Sequence, residues 1–201
     1  QFVHDTTAPA GKSMLFSEEF VALSRKIVYN REQRAFIPGG AVMQRISKEN
    51  YYLDIAQTVL ERATCLRRVY GAIIVKNDEI ISTGYNGAPR GRRNCVDMGY
   101  CTREQLRVPR GERYELCRSV HAEANAIISA SRRDMVGGTL YLVGRNAQTG
   151  ELLPDATSCP MCRRHIINAG LERVVIRHTP TEFQVVDVQD WIDSEDDVPQ
   201  A

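Results

Sequence analysis

Two short motifs, each at the predicted start of a helix, constrain this chain more than any other feature. The first is His121-Ala122-Glu123, and the second is Cys159-Pro160-Met161-Cys162. Proline suits the first turn of a helix, so a helix is predicted over 160–169, ending at Gly170. Another helix is predicted over 120–131. Imidazole and thiolate groups bind metal ions, so the two helix N-termini must point at one spot if the motifs share an ion.

The hydrophobic pattern predicts helices that alternate with strands, which indicates a layered α/β fold. The turn between the first two strands is predicted at Asn77-Asp78. In chain order the predicted elements are a helix from Ser47 with Leu53, Ala56 and Leu60 on its apolar face, strands over 70–76 and 79–84, the helix over 120–131 with Ala124, Ile127 and Ile128 facing the core, a strand over 138–144, the helix over 160–169, a strand over 173–177 and one short helix near Trp191.

The chain is predicted to have three parts. Its 201 residues suffice for one domain with a well-formed core and a short appendage. Residues 1–47 are predicted to form an N-terminal arm and a helix, whose pattern covers 17–34. Residues 48–180 are predicted to form the main domain, and residues 181–201 an acidic C-terminal tail.

Charge and cysteine content limit the classes of function. The formal net charge is +1, so there is no global electrostatic case for binding nucleic acid or an anionic membrane. No apolar run reaches the length of a membrane span, and no signal-peptide pattern opens the chain. We therefore expect a cytoplasmic protein without a membrane partner. Its six cysteines are then expected to serve metal binding, catalysis or packing rather than disulfides.

The two motifs together predict a catalytic zinc centre. Such a centre needs three protein ligands and one open position for water, and His121, Cys159 and Cys162 provide the three. Glu123 is then a proton carrier beside the open position rather than a ligand. His-x-Glu alone is a weak motif, and Cys-x-x-Cys alone also occurs in redox pairs and structural zinc sites. Their combination at two helix starts is typical of zinc-dependent deaminases of nucleobases.

The chain also resembles the cytidine deaminase superfamily and, within it, the deoxycytidylate (dCMP) deaminases. The segments that carry the resemblance lie between about residues 50 and 178: 71–76 (GAIIVK), 80–89 (IISTGYNGAP), 121–127 (HAEANAI) and 159–162 (CPMC). The resemblance implies a three-layer α/β/α fold with a mixed central sheet of about five strands. It also implies zinc-dependent deamination of dCMP to dUMP, a homo-oligomer, and a dCTP or dTTP effector.

The resemblance further implies substrate contacts. Asn86, in the Gly-Tyr-Asn-Gly turn that narrows the subfamily, is expected to contact the nucleoside, although Asn-Gly also suits a simple turn. Ala122, Thr83 and Arg90 are the other expected substrate contacts. Two features depart from the family. Ser158 stands where a proline usually precedes the first cysteine, and the connection over 145–157 is longer. Both bear on substrate preference rather than on zinc binding.

The stretch 85–118 is long for an irregular segment of a compact domain, so something must order it. A second, structural zinc bound by four thiolates would do so, and the alternatives are simple burial of free thiols or disulfides. The predicted ligands are Cys65, Cys95, Cys101 and Cys117. The same stretch is rich in arginine, which indicates either a solvated face or phosphate recognition.

Three functions are compatible with these patterns. The first is deamination of dCMP. The second is deamination of another cytosine nucleotide, such as dCTP or CMP, or of a base in nucleic acid. Nucleic acid is the less favoured substrate because the arginines are not interleaved with aromatic residues. The third is a non-catalytic, zinc-stabilised nucleotide-binding scaffold, which has no need of Glu123.

Overall fold

The structure, a computed structural model, describes residues 45–109 and 111–194. The helical pattern predicted over 17–34 and the last residues of the predicted tail lie outside these ranges.

The described chain is built on one mixed sheet of five strands, as expected. The strand order is β2-β1-β3-β4-β5, in which β3 and β4 are parallel and every other neighbouring pair is antiparallel. The strands are β1 (Arg68–Lys76), β2 (Glu79–Tyr85), β3 (Thr139–Asn146), β4 (Arg173–Arg177) and β5 (Phe183–Asp187).

Helices cover the two faces of the sheet. The helices are α1 (Lys48–Leu60), α2 (Cys95–Met98), α3 (Thr102–Gln105), α4 (Ala122–Ile128), α5 (Arg132–Met135), α6 (Pro160–Ala169) and α7 (Val188–Ser194), with a 3₁₀ turn at Tyr114–Leu116. Because side chains alternate along a strand, β1 contributes side chains to the helix layers on both faces of the sheet. Ile73 packs in the cluster with α1, and Ile74 packs in the cluster with α4 and α6. The three-layer α/β/α arrangement is therefore present.

Local sequence explains several of these boundaries. The central strands β1 and β3 each contain a continuous apolar run, over 71–75 and 140–144, because both of their faces are buried there. The turn between β1 and β2 has positive φ at Asn77 (52°) and Asp78 (65°), as two-residue hairpin turns require. Ser47 caps α1 by accepting a hydrogen bond from the backbone of Asn50 at 3.2 Å. Helix α6 starts at Pro160 and ends at Gly170, whose φ is 78°, as predicted.

Helix α4 is shorter than predicted. It begins after His121 and ends at Ile128, since Ser129 is its C-cap. Val120 lies outside the helix and pairs with Gly87 in an isolated β-bridge. The prediction that Ile128 faces the core is wrong, because its position at the helix end leaves it 76% exposed.

Part of the predicted C-terminal tail belongs to the sheet domain. Residues of β5 pair with β4 along its whole length, and α7 packs against α6. Strand β5 was not predicted from its residues because it is an edge strand with both faces partly solvated, so its sequence has no buried run. Within residues 45–109 and 111–194, no helix is both long enough and apolar enough to cross a membrane.

Helix α4 and strand β2 touch through their backbones at Gly84. A Cβ at Gly84 would lie 2.3 Å from the carbonyl oxygen of Ala122 and 2.3 Å from the amide nitrogen of Ala126. Ser82 Oγ also donates to the Ala126 carbonyl at 2.8 Å, and Asn125 Nδ2 donates to the Tyr85 carbonyl at 2.7 Å. The start of α4, where His121 lies, is therefore positioned by β2.

We predict that Gly84→Ala lowers the free energy of unfolding by about 1–3 kcal/mol or more, because backbone cannot yield to the added methyl group. It should also weaken zinc binding, since α4 must shift. Gly71→Ala is the matched control, because its Cβ would meet the backbone of α1, 2.2 Å from the Ala56 carbonyl, on the other face. Urea unfolding and zinc competition measure the two effects. Equal loss of zinc affinity in both variants would contradict the prediction.

Candidate metal centre and its cavity

The structure brings the two motifs together. His121 is the N-cap residue of α4, Cys159 is the N-cap residue of α6, and Cys162 lies in the first turn of α6. The ligand atoms of these three side chains all lie within 4.8 Å of one another. His121 Nδ1 is 3.4 Å from each of the two Sγ atoms. The two helix N-termini therefore converge on one point.

The donor set fits zinc. One imidazole and two thiolates at tetrahedral zinc distances would place the ligand atoms about 3.5 Å apart, close to the observed 3.4 Å between nitrogen and sulfur. Cys162 is buried, whereas Cys159 and His121 are partly exposed. Three protein ligands with solvent access on one side leave a fourth position open, as in catalytic rather than structural zinc sites.

The two thiols differ in acidity. A hydrogen bond from Cys162 lowers the pKa of Cys159 to about 4, and hydrogen bonding to His121 acts in the same direction. The same bond raises the pKa of Cys162, to which burial adds. Hydrogen bonding to Cys159 raises the pKa of His121. Because metal ligands must be deprotonated, zinc binding here must release protons from this group.

Glu123 lies in the first turn of α4 with 4% of its surface exposed. Burial raises the pKa of its carboxyl group, and the nearby His121 opposes this increase. A carboxyl group whose pKa is raised by burial is a stronger base than one in water, so it is suited to accept a proton and then donate it during a reaction. Its place two residues from His121 puts it beside the metal position.

A cavity of about 150 Å³ leads to this centre. His121, Glu123 and Cys159 line its inner end, together with the fully buried Ala122. Among the described residues that line the cavity, Glu123 is the one acidic side chain, whereas Arg67, Arg68 and Arg103 are basic. The cavity therefore suits a ligand that carries negative charge.

Asn86 also lines the cavity, but its side chain is engaged with strand β1. Its Oδ1 accepts a hydrogen bond from the backbone of Tyr70 at 2.7 Å, and its Nδ2 donates to the carbonyl of Arg68 at 2.9 Å. Asn86 therefore shapes the cavity wall, and direct contact with a nucleoside stays a prediction. The structure places Thr83 and Arg90 on the exposed surface rather than in the lining.

Ser158, the departure noted in the sequence, is fully buried next to the first cysteine. Its carbonyl accepts a hydrogen bond from Arg163 Nε at 3.1 Å. Its hydroxyl group faces Glu123 and acts to lower the pKa of that carboxyl group, against the larger effect of burial. The 145–157 connection folds back on itself, with Arg145 and Leu152 paired in a bridge, and Thr157 reaches the cavity.

The four remaining cysteines group near the same cavity. Cys65, Cys101 and Cys117 line it, and Cys95 is buried. Burial raises the pKa of Cys95, and the other three thiols contribute to the increase. All four are free thiols. In the described ranges, the tight group of metal-binding side chains is His121, Cys159 and Cys162, so these four lie farther apart.

Sequence reasoning missed two aromatic residues of the cavity wall. Tyr70 lies near the start of β1 and Tyr114 lies in the irregular stretch, and neither belongs to a motif. Arg103 was noted only as one arginine of several in that stretch. Among the arginines of that stretch that the structure describes, Arg103 is the buried one, with 7% of its surface exposed. Burial of a charged residue cannot be predicted from sequence spacing.

The fold and the site define a class of protein: a three-layer α/β/α protein in which three side chains able to hold a metal ion converge beside a buried carboxyl group. The family described as the cytidine and deoxycytidylate deaminase zinc-binding region matches residues 46–178 of the chain. The match includes both motifs and covers more than half of the 201 residues. The chain therefore belongs to the cytidine and deoxycytidylate deaminase family.

Several relatives carry the name deoxycytidylate deaminase. That of Mycobacterium phage D29 is 36% identical over 138 residues, which cover 66% of this chain and 96% of the relative. That of Schizosaccharomyces pombe is 32% identical over 152 residues, which cover 72% of this chain and 44% of the relative. The chain thus spans less than half the length of the yeast protein. A crystal structure of dCMP deaminase from cyanophage S-TIM5 aligns with 73% of this chain and 90% of its own, at 24% identity and a TM-score of 0.47.

We predict that Cys162→Ser lowers the zinc content by one ion per chain, because serine replaces a buried thiolate ligand with a poorer donor. Glu123→Gln is the matched control and should keep the wild-type zinc content, because Glu123 is not a ligand. Elemental analysis of both purified variants makes the comparison. Full zinc content in Cys162→Ser would show that the metal lies elsewhere.

Proposed function

We propose that the protein catalyses the hydrolytic deamination of dCMP to dUMP. The observation that carries the proposal is the buried Glu123 carboxyl group beside three converging metal ligands at the end of a cavity. The names of the relatives support a pyrimidine nucleotide as substrate. A scaffold without catalysis is disfavoured, because burying an ionisable group that binds no metal is costly without a function for it.

Zinc held by His121, Cys159 and Cys162 would act as a Lewis acid and make a water molecule nucleophilic near neutral pH. Glu123 accepts the proton that this water loses as its oxygen adds to the ring carbon that carries the amino group. Glu123 then donates that proton to the adjacent ring nitrogen. In the second half of the reaction Glu123 accepts the remaining proton of the added hydroxyl group and donates it to the amino group. The C–N bond then breaks, ammonia leaves and the carbonyl of uracil forms. Water is consumed and ammonia released, and the proton balance closes on Glu123.

The basic side of the cavity supports a nucleotide over a free nucleoside. Arg67, Arg68 and Arg103 line it, and guanidinium groups bind phosphate through paired hydrogen bonds. Arg67 also pairs with Glu104 at 2.9 Å, and Arg103 is engaged with backbone carbonyls. Arg68 hydrogen-bonds the hydroxyl group of Tyr70, an uncharged partner that a phosphate can displace, so we propose that Arg68 binds the phosphate. The same chemistry would accept CMP or dCTP, which are the alternative substrates.

We predict that Glu123→Gln lowers kcat for dCMP by roughly 10²–10⁴-fold, because the amide cannot carry the proton. Chromatography of products should be run on dCMP, CMP, dCTP, deoxycytidine and a cytosine-containing oligonucleotide. Arg68→Gln should raise KM for dCMP and leave any activity on deoxycytidine unchanged, because only the nucleotide carries a phosphate. If another compound is deaminated and dCMP is not, the proposed reaction is supported but the proposed substrate is wrong. Full activity of Glu123→Gln would overturn the mechanism.

The second zinc expected from the sequence is also part of this proposal. Four free thiols grouped around an irregular stretch support a structural site, and zinc at such a site contributes directly to folding. Binding would require Cys65, Cys95, Cys101 and Cys117 to draw closer than they lie in the structure. Such a site would tie helices α2 and α3 to the end of α1.

We predict two zinc ions per chain in protein prepared under reducing conditions. Cys95→Ser should lose one ion and make the 85–118 stretch more sensitive to protease, because the thiolate ligand is lost. Cys162→Ser should lose the other ion without this sensitivity. One ion per chain in the wild type, together with a zinc-free Cys162→Ser variant, would contradict the second site.

Regulation and assembly remain expectations from the family resemblance. We propose a homo-oligomer whose activity responds to dCTP or dTTP. Adding each nucleotide to the dCMP assay tests the effector, and light scattering at the assay concentration tests the assembly.

A further inference from the structure

Arg103 is a buried cation that organises the segment over the cavity. Its Nη2 donates hydrogen bonds to the carbonyls of Pro109 at 2.8 Å and of Glu112 at 2.5 Å. Its guanidinium carbon lies 4.9 Å from the centre of the Tyr114 ring, which is cation–π geometry. One side chain therefore fixes both the path of the backbone and the position of the aromatic ring that follows.

The Tyr114 ring in turn contacts the metal ligand His121. The two ring centres are 5.3 Å apart and the planes meet at 84°, an edge-to-face arrangement. His121 is an N-cap residue whose side chain makes no capping hydrogen bond, so the helix end does not hold its ring. Its Nδ1 faces the two thiols, and Tyr114 packs against the imidazole.

We infer that Tyr114 is a positioning residue that fixes the orientation of the His121 imidazole for zinc, and that Arg103 acts through it. The inference rests on the zinc centre of the proposed function. An imidazole binds zinc well only when the metal lies in the plane of the ring. Free rotation about the Cβ–Cγ bond of His121 would lower the fraction of molecules whose ring has this orientation. Residues that orient metal-binding histidines commonly change metal affinity by 10–100-fold. Here the orienting contact is an aromatic ring rather than a carboxylate or a carbonyl.

The test is zinc affinity of the metal-free full chain, measured by competition with a chromophoric chelator. His121→Ala is measured alongside, to subtract zinc bound elsewhere. Tyr114→Leu should weaken zinc binding at the His121 centre by about 10–100-fold. Tyr114→Phe is the matched control and should stay close to wild type, because it keeps the ring. Arg103→Met should weaken binding through displacement of the ring, and Arg103→Lys, which keeps the charge, should recover part of the loss.

Several results separate this role from others. The double variant Arg103→Met with Tyr114→Leu should bind zinc no more weakly than Tyr114→Leu, because both act through one contact. Excess zinc should restore kcat of Tyr114→Leu with KM for dCMP near wild type, whereas a substrate-contact role would leave KM raised.

Unchanged zinc affinity in Tyr114→Leu would overturn the inference. If Tyr114→Leu does not fold, equal zinc affinity of Arg103→Met, Arg103→Lys and wild type would overturn it instead. If His121→Ala binds as much zinc as the wild type, the proposed zinc centre itself is wrong. This result differs from failure of the inference about Tyr114, in which His121→Ala loses zinc and Tyr114→Leu does not.

Discussion

The approach of helix α4 to strand β2 at Gly84 is the contact on which the site depends. Backbone atoms of α4 lie where a Cβ on Gly84 would be, so the helix rests directly on the sheet. This contact fixes where α4 begins, and therefore where His121 and Glu123 lie. Helix α6 begins beside it, because α6 crosses between the parallel strands β3 and β4 on the same face. The metal ligands converge because two helices are seated on one face of one sheet.

Burial gives these groups their chemistry. Glu123 would be an ordinary carboxylate in water, but its place in the wall of the core raises its pKa. Hydrogen bonding from Cys162 holds the pKa of Cys159 low, which prepares one thiolate before any metal binds. The first effect comes from the packing of the fold around Glu123. The second comes mainly from within the Cys-x-x-Cys motif, and His121 adds to it from the other helix. The motif and the fold therefore both determine how these groups ionise.

Local chemistry made much of the fold predictable. The turn and the helix ends could be predicted because they are set by residues within a few positions of them. These residues are Asn77 and Asp78 in the turn, Ser47 and Pro160 at helix starts, and Gly170 at a helix end. The metal-binding side chains were predictable for a related reason, since their residue types and spacing suit one ion. Strand β5 and the exposure of Ile128 were not predictable, because they depend on edges and ends set by tertiary packing. The burial of Arg103 depends on carbonyls that its own loop presents only once folded.

The bridge between Gly87 and Val120 closes the long segment that lies between them. Gly87 and Val120 exchange backbone hydrogen bonds of 3.2 and 2.8 Å, so the two ends of that segment are clamped together next to α4. Closing a longer loop across such a clamp costs only about 0.6 kcal/mol for each doubling of its length. The register of α4 therefore does not depend on the length of the segment. The segment can gain or lose residues and present a different cavity wall to a substrate, provided that Tyr114 keeps its contact with His121.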